Sequence, residues 1–281
     1  MAINKKKIVL LDVDGTILDN RYQFNIEELT WLAAIAKAKA AGFYVGLNSD
    51  SPYESLRACY DKWQMNGPII SEKGATVWTP DFELPQVLAP FKTGAFPVVR
   101  NQLRLVTPLK KFGINYFVWV DFLNFQEKKA QIKANQRVLM VNQFRRHSLS
   151  FYAMRNVDGN NIQPDFEVLE AVRDFIKDCL RNGHAIKKED LDIDSNRDYG
   201  ICIFHHVATT KKNAITWLNM RYPDYPVFMV GNSMSDYCGP KNVTHLAVGG
   251  ASQEFKDFSA YTATADLTEG VVEILKRLTA T

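Results

Sequence analysis

The chain opens its ordered pattern with a dense apolar run, Ile8 to Val13, rich in β-branched residues. Such a run, bounded by Gly15 and Asn20, predicts a strand buried on both faces. From Ile26 to Ala41 the apolar positions change to helical spacing, with Leu29, Leu32, Ala33 and Ala36 on one side and Gly42 as the stop. Phe43 to Leu47 predicts a second buried strand, Ser51 to Gln64 a second helix, and Pro68 to Ile70 the start of a third strand. This β-α-β-α-β rhythm implies a parallel sheet with right-handed crossovers.

The middle of the chain has another texture. Tyr116 to Asp121, Arg137 to Asn142, Ser148 to Arg155 and Tyr199 to His205 predict strands with partial alternation, and Asp165 to Leu180 predicts a helix. Strands that follow one another with few helices between them suggest an antiparallel sheet in a separate α+β unit. The α/β rhythm then resumes with a helix over Lys211 to Met220, strands over Val227 to Val230 and His245 to Val248, and a last helix over Leu267 to Leu278. One α/β domain, residues 1–84 and 207–281, is therefore expected to be interrupted by an inserted α+β domain, residues 85–206.

Composition narrows the function classes. At 281 residues with 46% hydrophobic and 23% charged residues, the chain has the makeup of an ordered globular protein. A net charge of +3, with only short basic clusters such as Lys5-Lys6-Lys7 and Arg145-Arg146, argues against a nucleic-acid partner. Asp12 cuts the N-terminal apolar run short of a signal sequence, and no other stretch nears the ~20 apolar residues of a membrane span. The four cysteines, Cys59, Cys179, Cys202 and Cys238, form no CxxC pair. Reduced, mostly buried thiols in a cytoplasmic protein are expected, without a membrane partner. No motif encodes the oligomeric state.

Ligands of a doubly wound sheet bind at the carboxyl ends of its strands. Three polar clusters fall at such ends: Asp12-Val13-Asp14-Gly15-Thr16, Asn48-Ser49-Asp50, and Gly231-Asn232-Ser233-Met234-Ser235-Asp236. Together they offer an oxygen-rich site suited to Mg²⁺. Alternate residues at a strand end reach the same reacting group, so Asp12 and Asp14 divide the work of attacking phosphorus and of moving a proton. Gly15 permits a sharp turn that brings amide donors near a phosphate.

These residues carry a resemblance. Asp12 to Thr16, preceded by apolar residues and followed by Ile17-Leu18, is similar to the first motif of the haloacid dehalogenase superfamily. Ile69 to Ala75, Gly249 to Ser252 and Gly270 to Leu275 resemble segments of its Cof-type subgroup, and the inserted unit lies where that subgroup carries its C2 cap. The resemblance implies a Rossmann-like core and a Mg²⁺-dependent phosphatase acting on a small phosphate ester, with sugar phosphates the foremost class. It further implies Asp12 as nucleophile and metal ligand, and Asp14 as general acid/base with its carbonyl also on the metal. Ser49 and Lys211 would contact the phosphoryl group, with Gly15 and Thr16 in the phosphate loop and Asp236 completing the metal site. Lys212 stands beside Lys211, but where the family usually has glycine.

Two positions depart from the family pattern. Asn232 stands where a metal-binding carboxylate is usual, and Asp50-Ser51 replaces a glycine and an arginine. Asp50 is expected either to restore charge lost at Asn232 or to face solvent or cap the following helix, and Lys73 to meet an anionic substrate group or to face water. His205-His206 would point to opposite faces of a strand, and Tyr116-Phe117-Val118-Trp119 would belong to the inserted domain's core rather than form a sugar-stacking platform. A phosphosugar mutase and a catalytically weak phosphometabolite-binding protein are the alternative functions.

Overall fold

The structure is a computed structural model that describes residues 6–103, 109–121, 123–183, 186–197, 199–239 and 242–280. Lys5 of the first basic cluster lies outside them. The chain divides into two compact units, Met1–Leu88 with Thr209–Thr281, and Ala89–Ala208. Both divisions fall a few residues beyond the expected 84/85 and 206/207, for local reasons. Gln86 and Val87 form a short strand in the first unit's sheet. At the other end, Val207 N donates to Asp190 O and Ala208 N to His206 Nδ1, which ties both residues to the second unit.

The first unit begins with β1 (Lys7–Leu11), α1 (Glu28–Ala40), β2 (Phe43–Asn48), α2 (Tyr53–Lys62), β3 (Ile69–Ser71), β4 (Thr76–Trp78) and β5 (Gln86–Val87). The second unit contains α3 (Ala95–Gln102), β6 (Tyr116–Val120), α4 (Phe125–Ala130), β7 (Arg137–Asn142), β8 (Leu149–Asn156), β9 (Ile162–Pro164), α5 (Phe166–Asp178), β10 (Leu191–Asn196) and β11 (Ile201–His206). The first unit then resumes with α6 (Lys211–Arg221), β12 (Val227–Gly231), β13 (Val243–Ala247), α7 (Gln253–Phe258), β14 (Tyr261–Thr262) and α8 (Leu267–Thr279).

The first unit's sheet has the order β14-β13-β12-β1-β2-β3-β4-β5. Its strands are parallel from β14 to β3, and β4 and β5 add an antiparallel edge. The chain winds outward from β1 in both directions, so β1 with its neighbours β2 and β12 marks the switch point where such sheets bind ligands. Ile8, Val9, Leu10 and Leu11 are at most 2% exposed, and burial of each such side chain contributes roughly 1.5–3 kcal/mol. Ile8 and Leu10 pack in one cluster with Ala214, Ile215 and Leu218 of α6. The period of two then carries Asp12 onto the same side of the sheet as α6.

Helix α1 corrects the expected apolar face. Its buried residues are Trp31, Ala34, Ile35 and Ala38, whereas Leu29 is 77% exposed. Both stripes have helical spacing in this alanine-rich segment. The one that carries the large Trp31 and Ile35 side chains wins the core, and Trp31 packs edge-on against Trp63.

The second unit's sheet has the order β10-β11-β8-β7-β6, with β9 on β8. It is antiparallel except for β6 and β7, which pair in parallel because α4 crosses between them. Phe96, Leu139, Phe151, Val172 and Phe204 are fully buried in its core. Phe117 and Trp119, with their ring centroids 4.9 Å apart, both pack against that core, while Tyr116 stays exposed. His205 and His206 are both buried, and burial lowers His206 from its ordinary value. Cys59, Cys179, Cys202 and Cys238 are free thiols, and burial pushes Cys59 up to about 12. No described helix is long and apolar enough to cross a membrane.

Candidate active site

Every residue of the site described below belongs to the first unit. The strand β1 ends at Leu11, and its hydrogen-bond ladder runs one residue further through Asp12 N to Val230 O. The chain then folds back within one turn. Val13 O accepts from Ile17 N and Leu18 N, each at 2.9 Å, and Gly15 N donates to Leu18 O at 2.8 Å. Gly15 has φ +75°, and a Cβ there would lie 2.3 Å from Asn232 Nδ2. Glycine is thus required both by the turn and by the close approach of the Asn232 amide. Within this loop Thr16 Oγ1 donates to Asp12 Oδ2 at 2.9 Å. Asp12 and Thr16 are buried, whereas Asp14 is exposed.

Lys211 reaches the same place from α6. Thr210 caps that helix by accepting from Asn213 N at 3.1 Å, which makes Lys211 its first residue. Lys211 thereby heads the stripe of Ala214, Ile215 and Leu218 that faces the sheet, and its Nζ donates to Asp12 Oδ1 at 2.8 Å and to Asp236 Oδ1 at 2.7 Å. Lys212 is exposed. A cation at a helix N-terminus is opposed by the helix dipole by ~0.3–1 kcal/mol, and two charge-assisted hydrogen bonds outweigh that. Burial by itself would lower the Lys211 ammonium, but Asp12, Asp236 and Asp50 hold it well above its ordinary value. Asp50 is half-buried at the end of β2 and so joins the electrostatics of this cluster. Pro52 is the N-cap residue of α2 and offers no side-chain cap.

Asp236 is fully buried. Its Oδ2 accepts from Asn232 N at 3.0 Å and Ser233 N at 3.4 Å, closing the loop after β12. A Cβ on Gly231 would fall 2.2 Å from that oxygen, so only glycine fits. With both oxygens committed to protein donors, Asp236 anchors Lys211 and the 231–236 loop. These three donors occupy three of the roughly four lone-pair sites of the carboxylate.

The hydroxyl of Ser49 lies at the end of β2. Its Oγ accepts from Ser51 N at 3.0 Å, which leaves the hydroxyl proton to donate elsewhere. The turn Glu72-Lys73-Gly74 has φ of +46°, +60° and +95°. It is stitched to the Ser49 loop by Lys73 N to Ser49 O at 3.3 Å and Glu72 N to Ser51 O at 3.0 Å. A Cβ on Gly74 would meet Thr210 O at 2.2 Å, so this turn packs directly on the start of α6. Lys73 is half-buried there, beside Ser49.

Structure thus brings Asp12, Thr16, Asn232, Asp236 and Lys211 into one cluster, with Asp14 at its exposed edge and Ser49, Asp50 and Lys73 on the neighbouring strand ends. Sequence reasoning missed the packing roles of Gly231 and Gly74 and the cap at Thr210. The Thr210-Lys211-Lys212-Asn213 order carried the last signal, since a threonine cap fixes which lysine begins the helix. Asn48 was passed over as well. It is fully buried, and its Nδ2 donates to Met229 Sδ at 3.2 Å.

The cluster holds more negative charge than its one lysine balances. Burial first, then Asp236, push the Asp12 carboxyl up to about 8 against the pull of Lys211. A carboxylate kept in such surroundings suits a site whose working charge includes a bound cation. Asp12, Asp14, Asn232 and Asp236 carry the oxygen donors of the kind Mg²⁺ takes that could hold an ion here.

The family model for haloacid dehalogenase-like hydrolases matches residues 9–275, and the chain belongs to that family. A 72-residue stretch, 26% of this chain, is 38% identical to a phosphoglycolate phosphatase of Sulfolobus acidocaldarius and spans 31% of that protein's length. A haloacid dehalogenase-like hydrolase from Bacteroides thetaiotaomicron superposes with a TM-score of 0.65 at 14% identity, over 98% of this chain and 100% of its own. A protein of Thermoplasma acidophilum gives 0.62 at 16% identity, over 99% and 100%. These two likenesses establish the fold.

Proposed function

We propose that the protein is a Mg²⁺-dependent phosphatase that hydrolyses a small phosphate monoester through a phosphoryl group carried on Asp12. The observation that supports this most is the Lys211 bridge. It orients Asp12 from one side while Thr16 holds the other oxygen, which fixes a carboxylate in place as a nucleophile.

The steps follow from the residues. An Asp12 oxygen forms a bond to phosphorus as the ester P–O bond breaks, and Asp14 gives the departing alkoxide its proton. Asp14 then takes a proton from water, whose oxygen attacks phosphorus and breaks the bond to Asp12, releasing orthophosphate. Lys211 and the Ser49 hydroxyl offset charge on the phosphoryl oxygens throughout, beside the turn that Gly15 N closes on Leu18 O. Bound Mg²⁺, which Asp12, the Asp14 carbonyl, Asn232 and Asp236 would hold, would supply further charge neutralisation. Asn232 brings no negative charge, so metal affinity below that of an aspartate site is expected, and Asp50 restores part of the deficit. The inserted unit would act as the cap that selects the substrate.

Sugar phosphates head the substrate classes by family resemblance. The partial relative is named for phosphoglycolate, which supports including phosphorylated carboxylic acids among the substrates to try. The test is phosphate release from a panel of sugar phosphates, phosphoglycolate, nucleotides and an aryl phosphate. It is run with Mg²⁺, with chelator and with Asp12→Asn. Turnover that requires both metal and Asp12 is expected. Turnover that survives the loss of Asp12 would refute the assignment.

A further inference from the structure

The first unit also carries a cavity at the opposite end of its sheet. About 350 Å³ in volume, it is lined by residues that include Lys6, Tyr44, Pro68, Asp81, Tyr222 and Tyr225. These residues sit just before or at the beginnings of β1, β2, β3 and β12, or just after β4, whereas Asp12, Ser49 and Asn232 follow the ends of β1, β2 and β12. The five residues of β1 put about 16 Å between the two places. Nothing in the phosphatase chemistry uses this cavity.

Its walls are organised. Tyr44 and Tyr225 lie parallel within 12° at 6.2 Å between centroids, and Tyr222 continues the array against Tyr225 at 5.4 Å and 23°. Tyr222 is held in place, because its hydroxyl donates to Asp81 and lies 3.1 Å from Thr79 Oγ1. Asp81 is in turn bonded by Thr79 and by Arg221 Nη2 at 3.1 Å, and these donors outweigh desolvation to hold its carboxyl down at about 2. With its oxygens so occupied, Asp81 orients Tyr222. The charge on the other side is the exposed ammonium of Lys6, 5.2 Å from the Tyr44 ring centroid and held above its ordinary value by the Tyr44 hydroxyl. Pro68, Pro80 and Ile8 supply apolar surface between these poles.

We propose that this cavity is a second ligand site that takes a planar aromatic molecule of one or two rings bearing an acid group. The ring stacks along the tyrosines and the acid pairs with Lys6. The volume lies at the small end of the ~300–1,000 Å³ range of ligand pockets, which fits one or two rings. Offset aromatic stacking and one charge-assisted contact are the interactions that such walls offer. The site depends neither on the catalytic rim nor on the phosphatase assignment.

The test is calorimetric or ligand-observed NMR titration of the whole protein with indole-3-acetate and 4-hydroxyphenylacetate, beside their neutral amides. The acids are expected to bind at least about fivefold more tightly than the amides. Lys6→Gln, at a solvent-exposed position, should abolish that preference, and Tyr225→Leu should weaken acid and amide alike. Asp12→Asn and added orthovanadate should change nothing. Absence of binding by all four compounds, indifference to both cavity variants, or displacement by vanadate would each overturn the proposal.

Discussion

Replacing Lys211 with methionine removes the shared cation between Asp12 and Asp236 while keeping a side chain of similar length. The two hydrogen bonds lost are 2.8 and 2.7 Å long and lie in a buried cluster. Breaking one member out of such a buried ionic group costs about 3–5 kcal/mol, because the remaining charges stay buried without compensation. Two ionised carboxylates about 5 Å apart repel by about 3 kcal/mol at an effective dielectric of 20, so the cluster answers by binding a proton. Asp12, already pushed up to about 8, is the group that takes it. An acid whose folded value is raised binds its proton more tightly in the fold, so stability falls as pH rises from its unfolded value toward the folded one. The deficit of Lys211→Met against the wild type should therefore be about 3 kcal/mol near pH 8.5 and smaller near pH 6. Because the lost ammonium no longer offsets charge on the phosphoryl group, kcat/KM should drop at least about a hundredfold near pH 7. Urea denaturation at the two pH values and steady-state kinetics read both effects. Lys212→Met is the internal control, since Lys212 is exposed and should stay within about 0.5 kcal/mol of the wild type. A Lys211 variant indistinguishable from the Lys212 variant in stability and activity would refute the reasoning.

Three further outcomes follow from the same geometry. Asn232→Asp restores a carboxylate beside Gly15 and should tighten Mg²⁺ binding several-fold by calorimetry, whereas Asp50→Asn should weaken it; an unchanged Mg²⁺ dependence in Asp50→Asn would remove Asp50 from the charge balance. Gly15→Ala puts a methyl 2.3 Å from Asn232 Nδ2 at a φ of +75°, so a loss of at least about 1–2 kcal/mol in stability and of most activity is expected, by denaturation and phosphate release. His245 Nε2 accepts from Cys238 N at 3.0 Å, and burial lowers its titration below the ordinary value. A base lowered in the fold stabilises it while neutral, so stability should fall as pH drops through about 6.5, and His245→Asn should flatten that slope; an equal slope in both proteins would contradict this.

The elements that position the site were legible because each announced itself locally. The unbroken apolar run before Asp12, the strand over Phe43 and its neighbours, and the glycine-asparagine step after Val230 place the polar clusters at strand ends without further information. Less legible were features set by partners distant in sequence. The three-residue β4 and two-residue β5 are too short to show periodicity, and only their pairing with β3 defines them. The parallel pairing of β6 with β7 depends on a six-residue helix, α4, that leaves little pattern. The face of α1 was misassigned because alanine makes both sides equally apolar, so Trp31 and the surface it meets decide. In the site, the identity of Asp236 was plain but its commitment to Lys211 and two amides was not, since that depends on how tightly Gly231 lets the loop close.

The most direct test of the central claim is mass spectrometry of the peptide containing Asp12 after acid quenching during turnover of an active substrate with Mg²⁺. A mass increase of one phosphoryl group on Asp12, present in the wild type and accumulating in Asp14→Asn, is the expected result. Full turnover with no label on Asp12, or with the label on another residue, would contradict the account.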